Sequence, residues 1–141
     1  MRLEHVGSTA VPGLAAKPIL DLQLSVAALE PRDRYQAPVE RLGYLFAPDP
    51  GSPGRHFFAR PPERPRSHHL HVCAADGHDE RRHLAVRDFL RAHREEAARY
   101  AALKRRLAER HPEDRLAYIA GKERHVRDLE ARALRWAAAS P

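Results

Sequence analysis

Across residues 20–26 apolar and polar side chains alternate without a break. Leu20, Leu22, Leu24 and Val26 point one way, and Asp21, Gln23 and Ser25 point the other. A period of two is the signature of a β-strand. Residues 68–74 repeat the pattern, with His69 and His71 on one face and Leu70 and Val72 on the other. Shorter extended pieces are expected at residues 3–6, 44–46 and 55–60. Turn residues separate them: Gly7-Ser8-Thr9, then Pro48, Pro50, Gly51, Pro53 and Gly54, then Pro61, Pro62 and Pro65. Residues 27–42 carry Ala28, Leu29, Tyr35, Val39 and Leu42 at helical spacing. Pro31 suits the first turn, Pro38 predicts a kink or two short pieces, and Gly43 ends the segment.

From Asp76 the period changes to that of helices. Asp79 is the expected cap of a helix reaching about residue 93, with Leu84, Val86, Phe89 and Leu90 available to pack. A second helix, about residues 95–110, aligns Tyr100, Leu103 and Leu107. Pro112 separates it from a third, about 113–138. There Leu116 and Ile119 begin an apolar face that Val126, Leu129, Ala133 and Trp136 continue, expected to be core. Clustered strands followed by clustered helices predict one α/β domain of the mixed α+β kind over residues 1–141. It should hold a small sheet of about five strands, helices mainly on one face, and a helical C-terminal half.

Composition narrows the chemistry. The net charge of +6 and pI of about 10.1 suit an anionic partner such as a nucleotide, a phosphorylated metabolite or RNA. They equally fit arginines solvated on helix faces. Only three of the 25 basic residues are lysine, at 17, 104 and 122. In so arginine-rich a chain, each is a candidate for a place that wants a compact ammonium. The apolar runs are too short to span a bilayer, which predicts no membrane association. Cys73 is the only cysteine, so no internal disulfide forms, which fits a cytoplasmic protein. There is no Walker loop, zinc-finger spacing or nucleophile elbow.

The Gly7-Ser8-Thr9 turn offers backbone donors and hydroxyls to an anion, and Asp21 puts a carboxylate on what reads as the exposed face of its strand. A phosphate-gripping turn beside a strand-borne carboxylate suits a metal–nucleotide site. Two histidines at i and i+2 of a strand can share one metal ion or one phosphate, and can equally be hydrogen-bonded side chains of a half-exposed strand.

The run His5-Val6-Gly7-Ser8-Thr9-Ala10-Val11-Pro12-Gly13-Leu14, with Ala16-Lys17-Pro18-Ile19 and Asp21, resembles the signature of the GrpB family. His69-x-His71-Val72 and the segments 87–93, 100–104 and 118–122 resemble that family's later motifs. The resemblance implies a nucleotidyltransferase-like fold. It also implies an upstream segment of a few dozen residues, including a helix on the sheet, that is not present before residue 1. Apolar side chains near Leu3, Val6 and Leu20 are therefore expected to lack packing, leaving the chain marginally stable or covering that face in a homodimer.

By the same resemblance, Gly7, Ser8 and Thr9 hold phosphates, and Lys17, Arg55, Arg87, Lys104 and Lys122 are the cationic candidates. Asp21, His69 and His71 are candidate ligands of a divalent metal, magnesium or manganese ahead of zinc, and Asp21 and His71 are the catalytic candidates. Gln23 stands where related proteins carry a second carboxylate, so the histidines would have to complete the site. Three functions stay open: a nucleotidyl- or phosphoryl-transferring enzyme, a nucleotide- or metabolite-binding module without transfer, and an accessory domain of the kind fused in some proteins to a coenzyme A biosynthetic kinase.

Overall fold

A computed structural model describes residues 1–49 and 52–141. Five strands, β1 (Arg2–Val6), β2 (Leu20–Val26), β3 (Leu45–Phe46), β4 (Arg55–Arg60) and β5 (His68–Ala74), form one sheet in the order β1-β2-β5-β4-β3. β2 and β5 run parallel, and every other neighbouring pair is antiparallel. Four helices accompany them: α1 (Asp33–Arg41), α2 (His78–Ala92), α3 (Arg94–Arg110) and α4 (Arg115–Ala139). The mixed α+β architecture and the helical C-terminal half are as expected. The turn-rich reading of residues 47–54 falls in part on Pro50 and Gly51, outside the described residues.

Both faces of the sheet are covered. On one, Leu22, Leu24, Val26, Phe58, Leu70 and Val72 pack under Tyr35 and Val39 of α1. α1 runs as one helix through Pro38 and not as two short pieces, with Tyr35 and Val39 buried on its inner face; the missing N–H costs a single internal hydrogen bond. The other face carries Asp21, Gln23, Ser25, His69, His71 and Cys73, and α2 crosses it. Gln23, Ser25 and Cys73 are fully buried there. The polar face of β2, read as exposed, is thus largely an interior layer, because α2 covers it and its His83 meets the Gln23 amide oxygen, although Gln23 Nε2 finds no hydrogen-bond partner among the described residues.

Charged contacts fix α2 in place. Glu80, itself buried, accepts from Arg2 of β1 at 2.7 Å and from the Asp76 backbone N–H at 2.7 Å. Arg87 bonds Glu4 at 2.7 Å and the His5 carbonyl at 3.3 Å. The helix begins at His78 with Gly77 as its cap residue and no side-chain cap. The expected cap, Asp79, lies in the first turn and is bonded instead to Arg82.

A second core joins the helices to one another, through Val11, Leu14, Ala85, Phe89, Leu90, Ala101, Leu129 and Ala133. Leu116 and Ile119 do not belong to it. Leu116 is 78% exposed and Ile119 41%, because the first turns of α4 overhang a cleft before the helix reaches its packing partners. Leu3 and Leu20 are exposed, as expected, but Val6 is buried.

Candidate functional site

At the start of β2, Asp21 pairs in register with His69 of the parallel strand β5, which brings two chemically active side chains together from distant parts of the chain. The chain leaves β1 through Gly7 (φ 74°, ψ −172°) into a 3-10 turn, Ser8–Ala10, beside them. A Cβ on Gly7 would lie 2.8 Å from Asp21 Oδ2. Glycine is required here to admit the carboxylate, where the sequence suggested it would admit a phosphate.

Asp21 Oδ1 accepts from His71 Nε2 at 3.1 Å and faces His69 Nδ1 at 3.3 Å. Burial alone would raise the Asp21 carboxyl, but the hydrogen bonds and charge of the two histidines outweigh it and hold it well below the usual carboxylate range. Burial lowers the His71 imidazole, with the Asp21 bond opposing and Arg55 adding to the effect. A carboxylate can only accept, so each histidine turns an N–H toward Asp21. His69 Nε2 and His71 Nδ1 have no hydrogen-bond partner among the described residues.

Beneath this triad lies a second layer that the sequence did not reveal. His83 of α2 places Nδ1 2.6 Å from Gln23 Oε1, and its Nε2 is 3.2 Å from both Arg55 and Arg82. The amide oxygen demands a proton on Nδ1, and the two guanidiniums demand a bare Nε2, so the ring is held neutral. Burial, with the charges of His71, Arg82 and Arg55, pushes it down to about 3. Gln23 is therefore a hydrogen-bond anchor for α2.

In front of the triad a cleft of about 270 Å³ opens between the Ser8 turn, the segment before β2, α3 and α4. Five cations line it: Lys17, Arg64, Lys104, Arg115 and Lys122, with Ser8, Thr9, Asp21, His69, Tyr100 and Tyr118. Lys104 Nζ donates to Ser8 Oγ at 2.8 Å and lies 4.8 Å from the Tyr100 ring centre. Lys17 and Lys122 flank the Tyr118 ring at 5.3 and 5.1 Å. None of the five forms a salt bridge among the described residues. Crowding shows in the lysines. Burial and the Lys122 charge bring Lys104 down to about 8, against the pull of Asp21, and burial with Lys17 lowers Lys122.

The cleft thus gathers Ser8, Thr9, Lys17, Asp21, His69, Lys104 and Lys122 from the expected set, with Gly7 directly behind Asp21 and His71 one layer beneath. Two expected cations are elsewhere. Arg55 is bonded to Asp49 at 3.0 Å and to His83, below the triad. Arg87 is held by Glu4 and by Asp88, each at 2.7 Å, where it ties α2 to β1. Sequence reasoning missed Arg64, Arg115, Tyr100 and Tyr118. A signal for the tyrosines was present: Tyr100 with Lys104 and Tyr118 with Lys122 are both spaced i, i+4, which puts each pair on one helix face.

Among the described residues no group of three or more His, Cys, Asp or Glu side chains is arranged to hold a metal ion. The expected ligands Asp21, His69 and His71 do converge, but as a hydrogen-bonded triad in which one carboxylate oxygen serves both rings. Gln23 is buried away from the cleft, which leaves Asp21 as the carboxylate that β2 turns toward it.

The GrpB protein family model matches residues 1–132, and the chain belongs to that family. A crystal structure of conserved protein GrpB from Enterococcus faecalis superposes with a TM-score of 0.85 at 38% identity, covering 96% of this chain and 81% of that one. The UPF0157 protein PA4798 of Pseudomonas aeruginosa is 45% identical over 135 residues, 94% of this chain and 55% of the relative. A protein named dephospho-CoA kinase, from Mycolicibacterium paratuberculosis, is 32% identical over 163 aligned positions, covering 97% of this chain. The chain spans only 55% and 40% of the lengths of these two relatives. No helix among the described residues is long and apolar enough to cross a membrane.

Proposed function

We propose that the cleft binds a small molecule bearing phosphate groups, a nucleotide or a phosphorylated metabolite. The observation that carries this reading is the cluster of Lys17, Arg64, Lys104, Arg115 and Lys122 around one cleft, facing a single carboxylate, Asp21. Burial lowers the Lys104 and Lys122 ammoniums, and neighbouring lysine charges lower them further against the pull of Asp21, so the site is strained in charge. A polyanion relieves that strain. Tyr100 and Tyr118 add aromatic faces for the remainder of the ligand. The similarity to part of a protein named dephospho-CoA kinase supports a nucleotide-related setting.

Binding rather than two-carboxylate metal catalysis is the reading favoured here, because β2 presents Asp21 alone to the cleft while Gln23 is buried against His83. Calorimetric titration with ATP and with pyrophosphate, each with and without magnesium, tests it. Binding should weaken steeply with added salt, as expected for partly exposed charges. It should also fall by about tenfold or more in a Lys17→Ala/Lys122→Ala double variant, on the scale of charge-assisted hydrogen bonds. No binding of either anion at low salt would overturn the proposal.

A further inference from the structure

Ser8 and Lys104 form a pair that anion binding does not require. The serine sits at the start of the 3-10 turn, on the wall of the cleft, and its Oγ is 2.8 Å from Lys104 Nζ. The contact sets a hydroxyl and an amine at proton-transfer distance on the wall of the cleft. From this juxtaposition we propose that Ser8 is a nucleophile that accepts a phosphoryl group from a ligand bound in the cleft, with Lys104 as its general base. The inference rests on the phosphate-binding reading above.

The chemistry of the surroundings fits the step. A serine hydroxyl is a weak nucleophile until an adjacent base removes its proton. Lys104 is half-buried, and that burial, with the Lys122 and Lys17 charges and against the Asp21 carboxylate, brings its ammonium down to about 8. A substantial fraction is therefore the free amine at mildly alkaline pH. In that state the hydrogen bond reverses, and the Ser8 hydroxyl donates to the lysine lone pair. Lys104 takes the proton, Oγ forms a bond to phosphorus, and the bond from phosphorus to the leaving oxygen breaks. The leaving group departs with the electron pair, as acetate from acetyl phosphate or as ADP from ATP. The proton remains on Lys104, now an ammonium. Lys17, Lys122 and Arg115 can balance charge on the transferring oxygens, the usual protein contribution to such a reaction.

The test is to incubate the full chain with acetyl phosphate or ATP and follow intact mass, with peptide mapping of any adduct. Pyrophosphate binding to the same preparation is measured in parallel. One phosphoryl group on Ser8 is expected, formed faster as pH rises through 8, and absent in Ser8→Ala. Lys104→Arg keeps a cation but cannot lose its proton, so labelling should slow by about a hundredfold or more. A wild-type chain that binds pyrophosphate but takes no label, or takes it at another residue, overturns the nucleophile. An unchanged labelling rate in Lys104→Arg overturns the base. Failure to bind pyrophosphate at all would sink the phosphate-site reading itself.

Discussion

Gly7 and Asp21 are in contact in the most literal sense: the Asp21 carboxylate fills the space where a side chain on residue 7 would be. Gly7 also adopts a backbone conformation open essentially to glycine alone, with φ 74° and ψ −172°. Gly13 has a similar φ of 76° but nothing within 4 Å of a built Cβ. Both alanine variants should lose stability, about 1–3 kcal/mol from the backbone alone. Gly7→Ala should lose more and should also move Asp21 off its histidines. Urea unfolding of the two side by side checks this, and equal losses would mean that the close approach carries no energy.

Among the described residues, Asp21 is the only carboxylate on the cleft wall. If the site holds phosphate through its cations, Asp21→Asn should tighten pyrophosphate binding by about tenfold, a Coulomb effect expected for charges a few ångströms apart in a partly exposed site. The amide oxygen can still accept from His69 or His71, so the fold should persist. Weaker binding in the variant, specifically when magnesium is present, would instead assign Asp21 to a metal.

His83 sets an acid limit on stability. Its folded value is lowered from 6.5 to about 3, so the folded ring stays neutral where the unfolded one is charged. The unfolded state therefore binds the extra proton. The stabilisation is fully present above about 6.5 and is lost as pH falls from there toward 3. Its size is on the order of a few kcal/mol. His71, also lowered, loses stability in the same direction. A His83→Asn variant should be less stable at neutral pH and show a flatter pH profile between 7 and 4, read by thermal melts.

Burial lowers the Lys104 ammonium, and the Lys122 charge lowers it further. In Lys122→Met the Lys104 ammonium should therefore titrate above its present value of about 8. NMR of isotopically methylated lysines reads this directly. A Lys104 resonance that titrates unchanged would show that burial alone sets it.

Cys73 is fully buried, and burial pushes its thiol up to about 11. In native buffer it should resist alkylation, and its modification rate should rise only as the chain unfolds. Fast labelling of the native chain would contradict the closed layer between the sheet and α2.

Much of this molecule was legible in its sequence. The alternation of β2 and β5, the proline and glycine punctuation and the helical spacing after Asp76 place the strands and helices close to where they lie, since those signals are local. Alternation also put Asp21 with Gln23 and His69 with His71. What alternation cannot say is which face a second layer will cover. Gln23 and Ser25 looked solvent-facing until α2 brought His83 and Glu80 over them, and Arg55 and Arg87 looked free until Asp49, Glu4 and Asp88 met them. His83 and Glu4 lie far along the chain from Gln23 and Arg87, and their meeting depends on how α2 crosses the sheet, whereas Asp49 and Asp88 are close in sequence to the arginines they hold. The cleft is decided the same way. Lys17, Arg64, Lys104, Arg115 and Lys122 are spread over more than a hundred residues, and only the packing of α3 and α4 beside the Ser8 turn turns five scattered charges into one site.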